Sequence, residues 1–143
     1  EFSFDYIKKV VALEQERLKK LSEIGELTRF FFIGQPEYEP ELLIWKKMTP
    51  AQVKENLQTV YGMLEKISEW TKAKLEENII NYLKENNFKV GEPASTRPSL
   101  GGYLWPMRAA LTGRTASPGP FEVAEVLGRE ASLTRINQAI KIL

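Results

Sequence analysis

The spacing of apolar residues constrains this chain more than any other feature of its sequence. Apolar side chains recur at steps of three and four residues over long segments, as at Val53, Leu57 and Val60, with charged residues between them. That spacing places them on one face of an α-helix, whereas a half-buried strand needs alternation at every second residue, which no segment sustains. The sequence therefore predicts an all-α fold, a compact bundle or cage of about five to seven helices.

Capping residues and glycines mark several helix boundaries. The apolar spacing predicts a first helix from Phe4 to Ile24, ended by Gly25. Thr49-Pro50-Ala51-Gln52 has the composition of a capping box with proline at the first helical position, and Thr71 is placed to cap the next helix. We expect two well-defined helices to begin at these points.

The remaining helical segments have weaker boundaries. Phe30-Phe31-Phe32-Ile33 has no alternating neighbour to pair with and is interpreted as a buried helical turn. Ser117, followed by Pro118, predicts the cap of a helix that runs to Leu127 and stops at Gly128. The last helix carries its apolar residues on one face: Leu133, Ile136, Ile140 and Leu143.

Residues 91–120 differ from the rest of the chain because they hold five glycines and five prolines. So many helix breakers are incompatible with one regular element. The sequence predicts a Pro/Gly-rich loop over 91–120.

Composition excludes several functions. The chain of 143 residues has no cysteine and no histidine, which removes disulfides, Cys/His zinc sites, nucleophilic cysteine and imidazole acid–base chemistry. With 20 basic and 19 acidic residues, no overall field attracts nucleic acid or membrane. No apolar run is long enough to span a membrane, and the first residues lack the pattern of a signal peptide. We expect a cytoplasmic domain with few side chains suited to catalysis.

The breaker-rich stretch nevertheless has a pattern that suits RNA. Between Glu92 and Glu122 the chain has three arginines (Arg97, Arg108 and Arg114) and no acidic residue, together with Tyr103 and Trp105. Guanidinium groups bind phosphates and base edges, and exposed rings stack on unpaired bases. The alternative is a solvated loop whose aromatic residues tuck into the core.

Two further features have both an ordinary and a functional interpretation. The helix predicted at Ser117 would present free N–H groups that can bind a phosphate or a base edge, although most helix N-termini hold only water. The carboxylates with lysines nearby are expected on solvated helix faces rather than in a catalytic pair: Glu14, Glu16, Glu76 and Glu77.

The last third of the chain contains three ordered motifs: Trp105-Pro106-Met107-Arg108-Ala109-Ala110-Leu111-Thr112-Gly113, Ser117-Pro118-Gly119-Pro120-Phe121-Glu122 and Leu127-Gly128-Arg129-Glu130. Together they resemble the C-terminal anticodon-binding region of bacterial glutamyl-tRNA synthetases. Upstream, Glu16-Arg17-Leu18-Lys19-Lys20-Leu21 is similar to the family's helix before its aromatic run. The resemblance implies an all-helical region, with residues 1–40 ending one helical subdomain and 41–143 forming the next.

The resemblance also implies roles for particular residues. Arg108 would contact anticodon bases, and the turn of Ser117, Pro118 and Gly119 would bind further anticodon bases. An arginine on the early helix would help to separate glutamate tRNA from glutamine tRNA. Arg17 is the best match for this arginine, with Arg29 the second choice. Pro120 stands where the family usually has a leucine that packs on a base.

The family's catalytic signatures are absent from this sequence. The resemblance therefore implies a non-catalytic, monomeric piece of a glutamate–tRNA ligase, whose partners are the anticodon loop of glutamate tRNA and its own N-terminal catalytic domain. No cofactor is expected here, because ATP and Mg²⁺ would belong to that catalytic domain.

A different class of function fits the same composition. In this alternative, the chain is a helical protein-interaction module without an RNA role, and Phe30–Phe32 with Trp105 form the partner surface.

Overall fold

A computed structural model describes residues 2–86 and 100–143. Within these ranges the chain forms seven α-helices and no strand, which confirms the all-α prediction. The helices are α1 (Phe4–Glu14), α2 (Ile24–Thr28), α3 (Pro50–Glu65), α4 (Lys72–Asn86), α5 (Gly101–Thr112), α6 (Pro120–Leu127) and α7 (Arg129–Ile142).

The first helix is shorter than predicted. Ser3 caps its start by accepting a hydrogen bond from the Tyr6 N–H, but α1 ends at Glu14 rather than at Ile24. The predicted end of this helix was wrong because it assumed that Leu21, the last residue of the apolar face, is buried, whereas Leu21 is largely exposed. Gly25 lies inside α2 and stops no helix.

The aromatic run forms the buried helical turn that was predicted. Residues Arg29–Phe31 form a 3-10 helix, and the Phe30 and Phe31 side chains are 2% and 1% exposed. The Tyr6 hydroxyl donates to the Phe31 carbonyl at 2.6 Å, which joins α1 to this turn.

The predicted caps of α3 and α4 are both present. Thr49 Oγ1 accepts from the Gln52 N–H, while Gln52 Oε1 accepts from the Thr49 N–H, so that the capping box is complete. Thr71 Oγ1 accepts from the Lys74 N–H at the start of α4. The apolar faces of both helices point into the core: Val53, Leu57, Val60 and Leu64 from α3, and Leu75, Ile79 and Leu83 from α4.

The prediction of a loop over 91–120 needs correction, because α5 occupies Gly101–Thr112 and carries Pro106 in its interior. A proline has no N–H to bond the carbonyl four residues earlier, here that of Gly102. Asn56 on α3 donates its side-chain amide to this carbonyl at 3.0 Å. This hydrogen bond satisfies the Gly102 carbonyl, to which Pro106 has no N–H to donate. The helix α5 is buried against α3, α6 and α7.

The start of α6 also differs from the prediction. The helix begins at Pro120 with Gly119 at the cap position, so Ser117 and Pro118 lie before it. Ser117 does not cap because its hydroxyl is engaged with Arg108 and with the Pro118 carbonyl. Gly128 ends α6 as expected, with a positive φ of 88°.

Arg135 on α7 ties three parts of the fold together. Its side chain is only 2% exposed, and burial lowers the pKa of its guanidinium. Nη1 donates to the Leu111 carbonyl at 2.6 Å. Nη2 donates to the carbonyls of Phe30 and Ile33 at 2.9 and 2.8 Å. The end of α5 and the aromatic turn are thus held against α7.

Candidate nucleic-acid interface

Arg108 organises the segment that links α5 to α6. From the last turns of α5, its Nη1 donates to Ser117 Oγ at 2.9 Å and its Nη2 donates to the Thr115 carbonyl at 2.8 Å. The guanidinium lies over the Trp105 ring, 4.7 Å from the ring centroid. These contacts hold a planar, half-buried cation at the surface of the linking segment.

Arg17 lies close enough to Arg108 for their charges to interact. Burial lowers the pKa of Arg108, and the positive charge of Arg17 lowers it further. Arg108 remains cationic, because arginine stays protonated at every ordinary pH. The fold therefore brings together two of the residues that the sequence singled out, although they are distant along the chain.

The other predicted residues adjoin this pair. Ser117 Oγ donates to the Pro118 carbonyl at 2.9 Å while accepting from Arg108. Gly119 and Pro120 open α6, and no side chain of the described residues caps this helix end. An uncapped N-terminus has a partial positive charge. Ser117, Gly119 and Pro120 are partly exposed beside Arg108, whereas Pro118 is buried and Glu122 places an acidic group in the first turn of α6.

An open cleft of about 940 Å³ lies between the α2 region and the segment after α5. Three arginines are among its lining residues: Arg17, Arg29 and Arg114. Arg114 is held in place because its Nη2 donates to the Glu26 carbonyl at 2.5 Å and lies 3.3 Å from the Glu26 carboxylate. Glu26 and Glu37 also line the cleft, so arginines outnumber carboxylates there by three to two. The cleft has the size of ligand pockets in proteins and a small excess of positive charge.

Glu14 is the main residue that sequence reasoning missed. It was expected on a solvated helix face, but its side chain is 0% exposed and pairs with Arg17 Nη1 at 3.1 Å. Burial raises the pKa of Glu14, while the neighbouring charges of Arg17 and Arg114 act in the opposite direction. The sequence did contain an indication of this burial. Glu14 follows the buried Val10 by four residues and therefore lies on the same face of the helix.

The aromatic residues beside these arginines are less accessible than the RNA interpretation assumed. Tyr103 is 7% exposed and belongs to the core. Trp105 is half-buried, and its Nε1–H donates to the Leu42 carbonyl at 2.9 Å. The expectation of exposed stacking rings is therefore wrong for Tyr103, while Arg97 lies outside the described residues.

The surface proposed for a protein-interaction module is not formed. Phe30 and Phe31 are core residues, and Trp105 lies beneath Arg108 with its N–H already bonded. Only Phe32 of the aromatic run is partly exposed. Nothing in the described residues supports the alternative assignment, because most of its apolar groups are used within the fold.

Comparison with known proteins identifies the family. The family model described as "Anticodon binding domain" matches residues 1–140. The chain therefore belongs to the anticodon binding domain family, as the resemblance in its last third predicted.

The chain is also similar to curated relatives and to a solved structure. The chain is 36% identical over 137 residues to a glutamate–tRNA ligase of Herpetosiphon aurantiacus and 38% identical over 138 residues to one of Dehalococcoides mccartyi. Each match covers 96% of this chain and 26% of the relative, so the chain spans about a quarter of the length of these curated relatives. The crystal structure of a glutamate tRNA ligase from Elizabethkingia meningosepticum matches all of this chain and 26% of its own, with a TM-score of 0.78 at 20% identity. That likeness confirms the helical fold.

Two other properties were searched in the part of the chain that the structure describes. No helix there is both long and apolar enough to cross a membrane. No group of three acidic side chains among residues 2–86 and 100–143 is arranged to hold a metal ion.

Proposed function

We propose that this chain is the anticodon-binding domain of a glutamate–tRNA ligase and that it recognises unpaired anticodon bases of glutamate tRNA. In this proposal residues 1–40 end one helical subdomain and residues 41–143 form the next. The longer protein attaches glutamate to the tRNA, and its catalytic domain supplies the sites for ATP and Mg²⁺. We further propose that it acts as a monomer in the cytoplasm.

The grouping of Arg17, Arg108 and Ser117 carries this proposal. Sequence-specific RNA binding targets bases that are not paired, and it reads their edges with planar hydrogen-bond donors. Arg108 presents such a donor set, already oriented by Thr115 and Ser117. Since its geometry is set before RNA arrives, little side-chain entropy is lost on binding.

Each predicted residue has a role in this recognition. Arg108 contacts an anticodon base through its guanidinium edge, and Arg17 contacts another from the rim of the cleft. Ser117, Pro118 and Gly119 bind further bases through backbone groups and the seryl hydroxyl, while Pro120 offers an apolar surface for a base. Arg29 and Arg114 face the same cleft and attract the phosphate backbone.

Titration of this chain with RNA at low salt tests the proposal. A transcript of glutamate tRNA is compared with the same transcript altered only at its anticodon. We expect tighter binding of the native anticodon and a steep loss of affinity as salt is raised, because phosphate contacts release counterions. Equal affinity for the two transcripts would reduce the surface to a non-specific RNA contact and contradict the proposal.

A further inference from the structure

Glu14 occupies a position that α1 itself does not favour. It is the last residue of the helix, where the negative end of the helix dipole disfavours an acidic side chain. Its carboxylate is also completely removed from solvent. Burying a charge is costly unless a partner compensates it. The reason for a glutamate here must therefore be sought in what its carboxylate contacts.

Arg17 is that contact, and it is held at several points. Arg17 Nη1 lies 3.1 Å from one carboxylate oxygen of Glu14 and 3.4 Å from the other. The Arg17 backbone N–H donates to the Glu14 carbonyl at 3.0 Å, and the next residue, Leu18, donates to the same carbonyl. Glu14 thus holds both the turn after α1 and the guanidinium group of Arg17.

The anchoring leaves part of the guanidinium available. The Arg17 side chain is 33% exposed and lines the cleft. Within residues 2–86 and 100–143, its Nε and Nη2 donate to no protein acceptor. One edge of the guanidinium is therefore fixed by Glu14, while the remaining donors are free to face a ligand in the cleft.

Like charges surround Arg17 as well. Arg108 lies within electrostatic range of it, and Arg114 acts on the same buried carboxylate. Without a negative group the arginines would repel one another, and a flexible side chain such as Arg17 would turn toward solvent. The charge of Glu14 counters this repulsion.

We propose that Glu14 is a positioning residue that orients Arg17 for discrimination between anticodon bases. This inference rests on the proposed function, since it assigns a task within the same RNA site. Glu14 itself touches no RNA. Its effect passes entirely through Arg17, so removal of Arg17 must also remove the effect of Glu14.

A double-mutant cycle with the near-isosteric Glu14→Gln tests this dependence. The readout is the ratio of affinities for two transcripts that differ only at the base distinguishing glutamate from glutamine anticodons. Because both RNAs are measured on one protein preparation, a reduced folded fraction cancels in this ratio. Glu16→Gln is the control, since Glu16 is the exposed neighbour in the same turn.

We expect Glu14→Gln to lower the affinity ratio by about threefold to tenfold, a modest coupling for residues in contact. It should cause no further loss in the Arg17→Ala background, and Glu16→Gln should leave the ratio unchanged. Glu14→Asp, which keeps the charge, should restore part of the selectivity.

Two results would overturn the inference. One is an unchanged ratio for Glu14→Gln when Arg17→Ala lowers it, and the other is an equal effect of Glu14→Gln with and without Arg17. Unaltered RNA binding by both Arg17→Ala and Arg108→Ala would instead overturn the proposed function, and the role of Glu14 with it.

Discussion

The side-chain amide of Asn56 donates a hydrogen bond to the carbonyl oxygen of Gly102, at 3.0 Å, across the interface between α3 and α5. Gly102 lies four residues before Pro106, whose ring nitrogen has no hydrogen to donate. A polar residue on one helix thus compensates for a proline inside another. The segment that carries Arg108 depends on this contact, because Arg108 lies two residues after Pro106 on the same helix.

Removal of the Asn56 amide should destabilise the domain. Asn56→Ala leaves the Gly102 carbonyl without its donor, and we expect the free energy of unfolding to fall by about 1–3 kcal/mol. In a Pro106→Ala background the new N–H can bond that carbonyl, so the same substitution should cost less. Urea unfolding of the four proteins measures the difference. Equal losses in both backgrounds would show that Asn56 stabilises the domain in another way.

Two glycines should respond to alanine in opposite directions. Gly113 follows α5 with a φ of 67°, and an added Cβ would lie 2.8 Å from the Pro36 Cβ. We expect Gly113→Ala to lower the free energy of unfolding by more than about 1 kcal/mol, through backbone strain and steric overlap. Gly62 lies within α3, and no atom of the described residues lies within 4 Å of its Cβ position. Gly62→Ala should therefore raise the free energy of unfolding by up to about 1 kcal/mol. Thermal unfolding compares them, and a change of the same sign in both would contradict this explanation.

Stability at alkaline pH should depend on Tyr38. Its buried hydroxyl has no hydrogen-bond partner among residues 2–86 and 100–143. Burial raises its pKa to about 12, an effect that the charge of Arg135 opposes. The unfolded chain loses this proton near pH 10, whereas the folded chain keeps it. This contribution to stability is therefore complete below pH 10 and is lost as the pH rises toward 12.

Tyr38→Phe should make the alkaline decrease in stability less steep without lowering stability at pH 7. Tyr6→Phe is the comparison, because the Tyr6 hydroxyl donates to the Phe31 carbonyl and its loss should cost about 0.5–1.5 kcal/mol at pH 7. Burial also raises the pKa of Tyr6, so part of the alkaline slope should remain in Tyr38→Phe. Denaturant unfolding at pH 8, 10 and 11 measures both. An unchanged slope in Tyr38→Phe would exclude this phenol as its source.

Arg108 should be needed for RNA affinity through its shape as well as its charge. We expect Arg108→Ala to weaken binding of glutamate tRNA by about 1–3 kcal/mol while the domain stays folded. Arg108→Lys keeps the charge but loses the planar fork, so it should restore only part of the affinity. Lys84→Ala removes one exposed positive charge from α4 and serves as the control. Full affinity in Arg108→Lys, measured by fluorescence anisotropy, would show that charge alone matters.

Local patterns predicted the parts of this fold that local chemistry decides. The caps at Thr49 and Thr71 depend on residues within three positions, and both were found from the sequence. The interior proline of α5 was interpreted as a breaker because its compensating residue, Asn56, is distant along the chain. Such a long-range hydrogen bond has no local signature.

The candidate site likewise combines features that local sequence patterns predict with contacts that only the folded chain shows. Arg17, Arg108 and Ser117 were chosen from motif resemblance. Only the folded chain shows that Arg108 bonds Ser117 and that the charge of Arg17 acts on Arg108. The cap assigned to Ser117 was wrong because the seryl hydroxyl bonds Arg108, nine residues earlier, instead of an N–H of α6. The burial of Glu14 was missed because its charge outweighed its place on the apolar face of α1.

The most direct test of anticodon recognition is to map where an anticodon stem-loop binds this chain. Backbone amide resonances of the labelled protein are followed while a stem-loop RNA carrying the glutamate anticodon is added. We predict that the largest shifts fall on Arg17, Arg108, Ser117 and Gly119, since Pro118 and Pro120 have no backbone N–H to observe. A stem-loop with an altered anticodon should produce weaker shifts at these positions. Shifts concentrated on another surface, or equal shifts with both RNAs, would contradict the assignment of this cluster to anticodon recognition.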